Sequence, residues 1–173
     1  DGTNDYVKVP TNSSIYPTTA LSISMWVKLD ALDNPYTIAG GLSGGTGLTN
    51  GYAIQIYSAS GLVYFRLGNG SANTLISGSI SAGVWTHILC TYNGTNMQTW
   101  INGATDGSTT AVSSPIVYDT SKDLFIGTRY LWGSHILTGN IDEVAIFNTD
   151  QSSNVATIYN SGQPTDLTSL SPV

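Results

Sequence analysis

Hydrophobic and polar positions alternate with a period of two along most of the chain, most clearly over residues 84–103, VWTHILCTYNGTNMQTWING. Residues 85–92 and 97–102 are rich in β-branched and aromatic side chains, and the turn formers Asn93, Gly94, Thr95 and Asn96 lie between them. That pattern predicts a β-hairpin. Setting Tyr92 opposite Met97 across the loop places Cys90 opposite Thr99, Leu89 opposite Trp100 and Ile88 opposite Ile101. Parity then sorts the side chains. Ile88, Cys90, Tyr92, Met97, Thr99 and Ile101 form a core face, while His87, Leu89, Thr91, Gln98, Trp100 and Asn102 form a mixed one. The mixed face suits either a sugar-binding surface or a surface capped by a loop. Asn102-Gly103 is a second turn signal that closes the unit.

The same alternation recurs elsewhere. Leu21, Ile23, Met25, Val27 and Leu29 alternate with Ser22, Ser24, Trp26 and Lys28, which reads as a half-buried strand. Residues 52–57 and 62–67 form a second hairpin around Ser58-Ala59-Ser60-Gly61, with Tyr57 opposite Leu62, Gln55 opposite Tyr64 and Ala53 opposite Arg66. Its core row is Tyr52, Ile54, Ile56, Val63, Phe65 and Leu67, and its outward row is Gln55, Tyr57, Tyr64 and Arg66. Shorter strands are expected within 1–9, at 36–39, 74–77 and 124–127, and at 139–147, where Asp142, Val144 and Ile146 share one buried face. The Gly-rich stretch 40–50, GGLSGGTGLTN, has no strand-to-helix setting in which to cradle a phosphate, and reads as a surface loop. Residues 104–121 read as a polar connection and 129–135 as an aromatic loop. The only helical candidate is 150–160, capped by Asp150 or Ser152, with Val155, Ile158 and Tyr159 at helical spacing and Gly162 just beyond. The resulting architecture is all-β: a two-sheet antiparallel sandwich of jelly-roll type, with about a dozen strands and one short C-terminal helix. The domain is expected to span 1–162, followed by a linker or tail over 163–173.

Composition narrows the setting. At 173 residues the chain is one domain by length, able to bury about 70% of its unfolded surface without staples. Charged residues are 9% of the chain, Gly numbers 19, and Ser with Thr make up about a quarter. This balance belongs to extracellular and virion β-proteins. A net charge of −6 with five Lys and Arg leaves no basic patch for nucleic acid and favours divalent cations. The single Cys90 falls on the inner hairpin face and packs as a small hydrophobe. No run of 18 apolar residues occurs, so no membrane insertion is expected. The turn-rich opening DGTND reads as the start of a module excised from a longer exported chain, with neighbouring domains as partners.

Five segments in order, DGTNDYV, LSISMWVK, the 84–103 hairpin, LFIG and GNIDEVAIFN, together resemble the laminin G-like group of the concanavalin A-like lectin/glucanase fold over residues 1 to about 160. The resemblance implies a non-catalytic module of a secreted, cell-surface or phage structural protein that binds a glycan or a protein partner and often holds a structural calcium. One departure is that the family has an apolar residue before the Asp-Gly pair, whereas this chain begins at Asp1.

Retaining glucanases of the same fold need two carboxylates about 5 Å apart on one strand face. Glu143 is the only glutamate here, ten of the eleven acidic residues being Asp. Strand parity sends Asp142 and Glu143 to opposite faces. Neither His87 nor His135 adjoins a nucleophile motif. Calcium is the better match: a carboxylate at Asp142 on a core-facing strand would have to be coordinated or hydrogen-bonded, and the resemblance pairs it with Asp1 or its neighbours. The alternative is that Asp142 accepts backbone N–H groups in a tight turn. For a ligand, the two outward rows predict one sheet face carrying Gln55, Tyr57, Tyr64, Arg66, Gln98 and Trp100. A competing site is the loop rim at Tyr130, Trp132 and His135, and a third reading has Trp100 and Leu89 simply covered. The function expected is a glycan or cell-surface recognition module, outside the cell or on a virion surface. Its rival is a structural decoration or spacer domain of a virion or surface fibre, with a glycoside hydrolase last.

Overall fold

The computed structural model describes residues 3–32, 36–42, 48–113, 115–129 and 136–173. The described residues form the strands β1 (Val7–Val9), β2 (Leu21–Leu29), β3 (Tyr36–Gly40), β4 (Tyr52–Tyr57), β5 (Leu62–Gly68), β6 (Ala72–Ser79), β7 (Thr86–Tyr92), β8 (Asn96–Ile101), β9 (Ala104–Ala111), β10 (Leu124–Ile126) and β11 (Gly139–Phe147). They build two antiparallel sheets, one of six strands in the order β1-β10-β3-β4-β5-β6 and one of five in the order β11-β2-β7-β8-β9. Ile23, Met25 and Val27 meet Ile54, Ile56 and Phe65 across the interface, all with no solvent exposure. Burying such side chains stabilises by about 1.5–3 kcal/mol each.

Both hairpins adopt the expected registers. Leu89 faces Trp100 and Cys90 faces Thr99, while Tyr57 faces Leu62 and Gln55 faces Tyr64. Residues 104–111, read from sequence as part of a polar connection, are instead strand β9. Asn102 and Gly103 both take left-handed backbone (φ 51° and 77°), the geometry of a two-residue hairpin turn that returns the chain antiparallel to β8. As an edge strand β9 can be Thr- and Ser-rich on both faces, which is why alternation did not mark it. On this side the Asp106 carboxylate accepts the backbone N–H of Gly78 in β6, pinning the edge of one sheet to the edge of the other.

The last strand corrects a second expectation. Along β11, Asp142 opposes Trp26 and Ala145 opposes Ser24, so three steps on one strand match two on the other. One extra residue is accommodated as a β-bulge, with Glu143 at φ 51°. The bulge reverses parity: Val144 and Ile146 face the core, but Asp142 is turned outward and exposed rather than buried with them.

The outer face of the five-stranded sheet carries a third layer. A 3-10 turn at Ser152–Asn154, the single-turn helix α1 (Val155–Tyr159) and the following tail lie across it. The helix is shorter than the 150–160 pattern predicts. Asp150 does cap its approach, accepting the N–H of Ser152 at 3.0 Å, and Asn160 ends it in left-handed backbone. Val155 and Ile158 pack with Leu89 and Trp100, joined by Leu167 and Leu170 from the segment expected to be a linker or tail. Val173 donates its N–H to Ile146 at 2.8 Å, so residues 163–173 follow the sheet to the end. Removing 163–173 should therefore lower the unfolding free energy by about 1–3 kcal/mol through lost apolar burial. A urea midpoint unchanged by the truncation would return the segment to the role of a linker.

Candidate functional site

The open surface of the molecule is the outer face of the six-stranded sheet around β4, β5 and β6. Alternation sends Gln55 and Tyr57 of β4, and Tyr64 and Arg66 of β5, to this face. Tyr57 and Tyr64 occupy diagonal positions of an antiparallel pair, within reach of each other. Their rings stack with centroids 4.8 Å apart and an interplanar angle of 12°. Arg66, two residues beyond Tyr64 on the same face, places its guanidinium carbon 5.2 Å from the Tyr64 ring centroid. Tyr57 remains 42% exposed and Ile76 of the adjacent strand 49%, so the stack opens to solvent. Gln55 lies in the same row but is buried. Beyond it, Leu42 and Leu48 of the 41–51 loop cover Ala39 and Ala53, so one part of the face is walled and the next part is free.

The six residues expected on one sheet face are divided between two. Gln98 and Trp100 belong to β8 of the other sheet, because the connection between β6 and β7 crosses from one sheet to the other. Trp100 is only 8% exposed, covered by α1 and the tail, so the reading in which Trp100 and Leu89 are capped is the one realised. Gln98 spends its Nε2 on the carbonyls of Thr99 (3.0 Å) and Asp106 (3.3 Å). The rim residues Tyr130, Trp132 and His135, and Asp1 of the expected calcium site, lie outside the described residues.

One constellation was not anticipated from sequence. His87 Nε2 and Ser24 Oγ are 2.9 Å apart, the spacing of a base and nucleophile. Both are buried, and the imidazole lies between Trp26 (5.2 Å) and Tyr159 (5.7 Å). Its Nδ1 makes no hydrogen bond, so no third group orients the ring, and substrate cannot reach it. The backbone of His87 is held on both sides by Asn102, whose side-chain oxygen accepts its N–H and whose N–H donates to its carbonyl, each at 2.9 Å. A structural histidine fits these facts. Its signal in the sequence was indirect: β2 and β7 had to be known as neighbours before Ser24 and His87 could be paired.

A cleft of about 610 Å³ opens where the edges of the two sheets, β1 and β11, part from each other. Val7, Ile126, Leu137 and Val144 line it together with Asp5, Asp142 and Glu143. The β11 bulge breaks alternation, so Asp142 and Glu143 border the same cleft rather than pointing to opposite faces. Asp142 Oδ1 accepts the N–H of Glu143 at 2.9 Å, the tight-turn bond weighed above. Among the described residues no three His, Cys, Asp or Glu side chains converge as a metal would require, so side chains alone do not form a cation cage there.

A laminin G family model, described as the concanavalin A-like lectin/glucanases superfamily, matches residues 1–155. Among solved structures the chain is similar to domain 4 of an extracellular GH43 arabinanase from Geobacillus stearothermophilus in complex with arabinotriose, with a TM-score of 0.67 and 18% identity over 91% of this chain and 72% of that one. It is also similar to domains LG4-5 of the mouse laminin alpha1 chain, with a TM-score of 0.66 and 12% identity over 83% of this chain and 39% of that one. A third is botulinum neurotoxin type C, whose cell entry depends on interaction with two ganglioside molecules, with a TM-score of 0.66 and 20% identity over 94% of this chain and 41% of that one. The chain thus spans about two fifths of the laminin and neurotoxin chains. At these identities the likeness is one of fold. No curated protein matches the sequence.

The sealed histidine makes stability depend on pH. Burial pushes the pKa of His87 from its ordinary 6.5 down to about 4, so the folded chain holds it neutral while the unfolded chain protonates it. Its contribution is complete above about pH 6.5 and is lost as the pH falls towards 4. The total amounts to about 3 kcal/mol by linkage. Urea unfolding across this window should show the loss, and His87→Gln should flatten it; an equal slope in both would remove His87 as the cause.

Proposed function

We propose that this chain, which belongs to the concanavalin A-like lectin/glucanases superfamily, is a non-catalytic glycan-binding module whose ligand lies on the outer face of the six-stranded sheet. The observation that carries this reading is the exposed outer ring of Tyr57, backed by the parallel ring of Tyr64 with Arg66 on its far side. Aromatic rings take the apolar C–H faces of sugars, and a flanking guanidinium bonds their oxygens. Family membership and the arabinotriose and ganglioside ligands of the arabinanase domain and the neurotoxin agree in kind with a saccharide. A non-catalytic role is supported by the single glutamate, and by a Ser24 and His87 pair closed off beneath Trp26 and Tyr159. We place the module outside the cell or on a virion surface, joined to neighbouring domains. No helix among the described residues is long and apolar enough to cross a membrane. The rival role is a structural spacer without a ligand. It is favoured by the way the chain already uses one aromatic sheet face, at Trp100, to hold its own tail.

A glycan array probed with the wild-type chain, Tyr64→Ala and Trp132→Ala separates these readings. Loss of saccharide binding by about five- to thirtyfold in Tyr64→Ala is expected, since it removes the ring that holds Tyr57 in place and stacking of this kind contributes about 1–2 kcal/mol. Loss in Trp132→Ala alone would move the site to the loop rim, and no binding by the wild type would leave the spacer reading.

Calcium belongs to the same proposal. Asp142 and the N-terminal residues from Asp1 would hold the ion, with backbone carbonyls completing an oxygen shell. Support comes from the cleft itself, where Asp5, Asp142 and Glu143 all open to one space between the first and last strands. Chelation should lower the melting temperature by several degrees, about 1–3 kcal/mol by linkage. A melting curve unmoved by chelator and by Asp142→Ala would dismiss the ion.

A further inference from the structure

We infer that the Tyr57 and Tyr64 platform selects a sugar carrying a carboxylate, a uronic-acid or sialic-acid type residue, with Arg66 as its anion-binding group; this rests on the platform reading above. The argument begins with what Arg66 lacks. It makes no hydrogen bond and no ion pair with any described residue, its Nε–H is shut away from water without a partner, and its guanidinium lies over the face of Tyr64. In a chain of net charge −6, with eleven acidic residues against five Lys and Arg, Arg66 shares with Lys28 and Lys122 the lack of an ion pair among the described residues, but of the three it alone has a side-chain nitrogen shut away from water. By contrast Lys8 is paired, its ammonium 2.8 Å from Asp123.

The neighbours of Arg66 exclude a carboxylate of the protein's own. The positions opposite it are Ala53 on β4 and Thr74 on β6, and those opposite Tyr64 are Gln55 and Ile76. None is acidic. The nearest row is therefore apolar or neutral, and among the described residues no anion reaches the donors of the guanidinium. Arg presents those donors as a planar fork that matches a carboxylate in two parallel bonds, a geometry that a neutral hydroxyl pair reproduces poorly. Tyr64 has Tyr57 against one face and the guanidinium over the other, so the ring face left for a sugar is the outer one of Tyr57. That face and the fork flank Tyr64 about 13 Å apart by strand rise, the scale of two or three linked sugar residues, so the carboxylate Arg66 meets belongs to a neighbouring residue of the same saccharide.

The test uses tetragalacturonate and its fully methyl-esterified form, titrated against the whole chain with chelator present so that no cation can bridge carboxylates to the acidic cleft. The wild type should bind the acid at least tenfold more tightly than the ester, the effect expected of a charge-assisted pair. Arg66→Gln should weaken the acid far more than the ester, bringing their affinities to about the same level. Its unfolding transition should remain cooperative, the loss being confined to the contact with Tyr64. Equal affinity for both saccharides in the wild type, or a preference that survives in Arg66→Gln, would overturn the assignment of Arg66 while leaving the platform intact. Binding of neither saccharide would also overturn it, and the array with Tyr64→Ala then decides separately whether the platform binds sugars at all.

Discussion

The arrangement of this molecule follows from one apolar pair placed on the wrong side of a sheet. Leu89 and Trp100 face each other across β7 and β8 on the surface that points away from the sandwich core. Left open, they would expose two large apolar side chains on a central part of the sheet, and covering them recovers several kcal/mol of apolar burial. The chain therefore spends residues 148–173 as a lid layer, and every residue of β7 becomes buried. Burial on both faces obliges the polar groups beneath to find partners. Ser22 does so twice, donating to the Thr149 carbonyl at 2.8 Å and accepting the Gln151 N–H at 2.9 Å, and both contacts fasten the incoming segment to the sheet.

This closure decides which surface is left for recognition. One sheet has its outer aromatic face sealed, the other does not. On the free face the residue sizes set the relief: Ala39 and Ala53 are small enough for Leu42 and Leu48 to settle on them, and the next column begins with the paired tyrosines. The result is a step, with two leucines on one side and the edge of an aromatic stack on the other. Such a shape suits an extended ligand lying along the step.

Much of this was readable in the residues. Strict alternation plus a turn of known length fixes the register of a hairpin, because slipping by one residue would expose every core side chain. The pairings of Leu89 with Trp100 and of Tyr57 with Leu62 follow from that rule alone. Which sheet each hairpin enters does not, since the six residues between β6 and β7 carry no signal of the crossing. The bulge at Glu143 escaped for a related reason: a single inserted residue reverses parity without changing composition, so Asp142 read as buried when it is exposed. Strand β9 was hidden because an edge strand need not alternate. The third layer was missed because prolines and short polar stretches resemble a linker until Leu167 and Leu170 are seen against Trp100.

The position of β11 bears on how the chain is made. Its partner is β2, with Gly139 beside Leu29 and Phe147 beside Ser22, so the second strand of the molecule waits for almost the last one. A chain emerging from the ribosome carries β2 with its outer edge unpaired until β11 has been made, and β7 without its cover until residues 155–170 have followed. Non-local closure of this kind is slow, and it leaves a free strand edge open to other chains in the interval. The sandwich therefore closes only once residues 139–147 are available to β2, however much chain precedes or follows them.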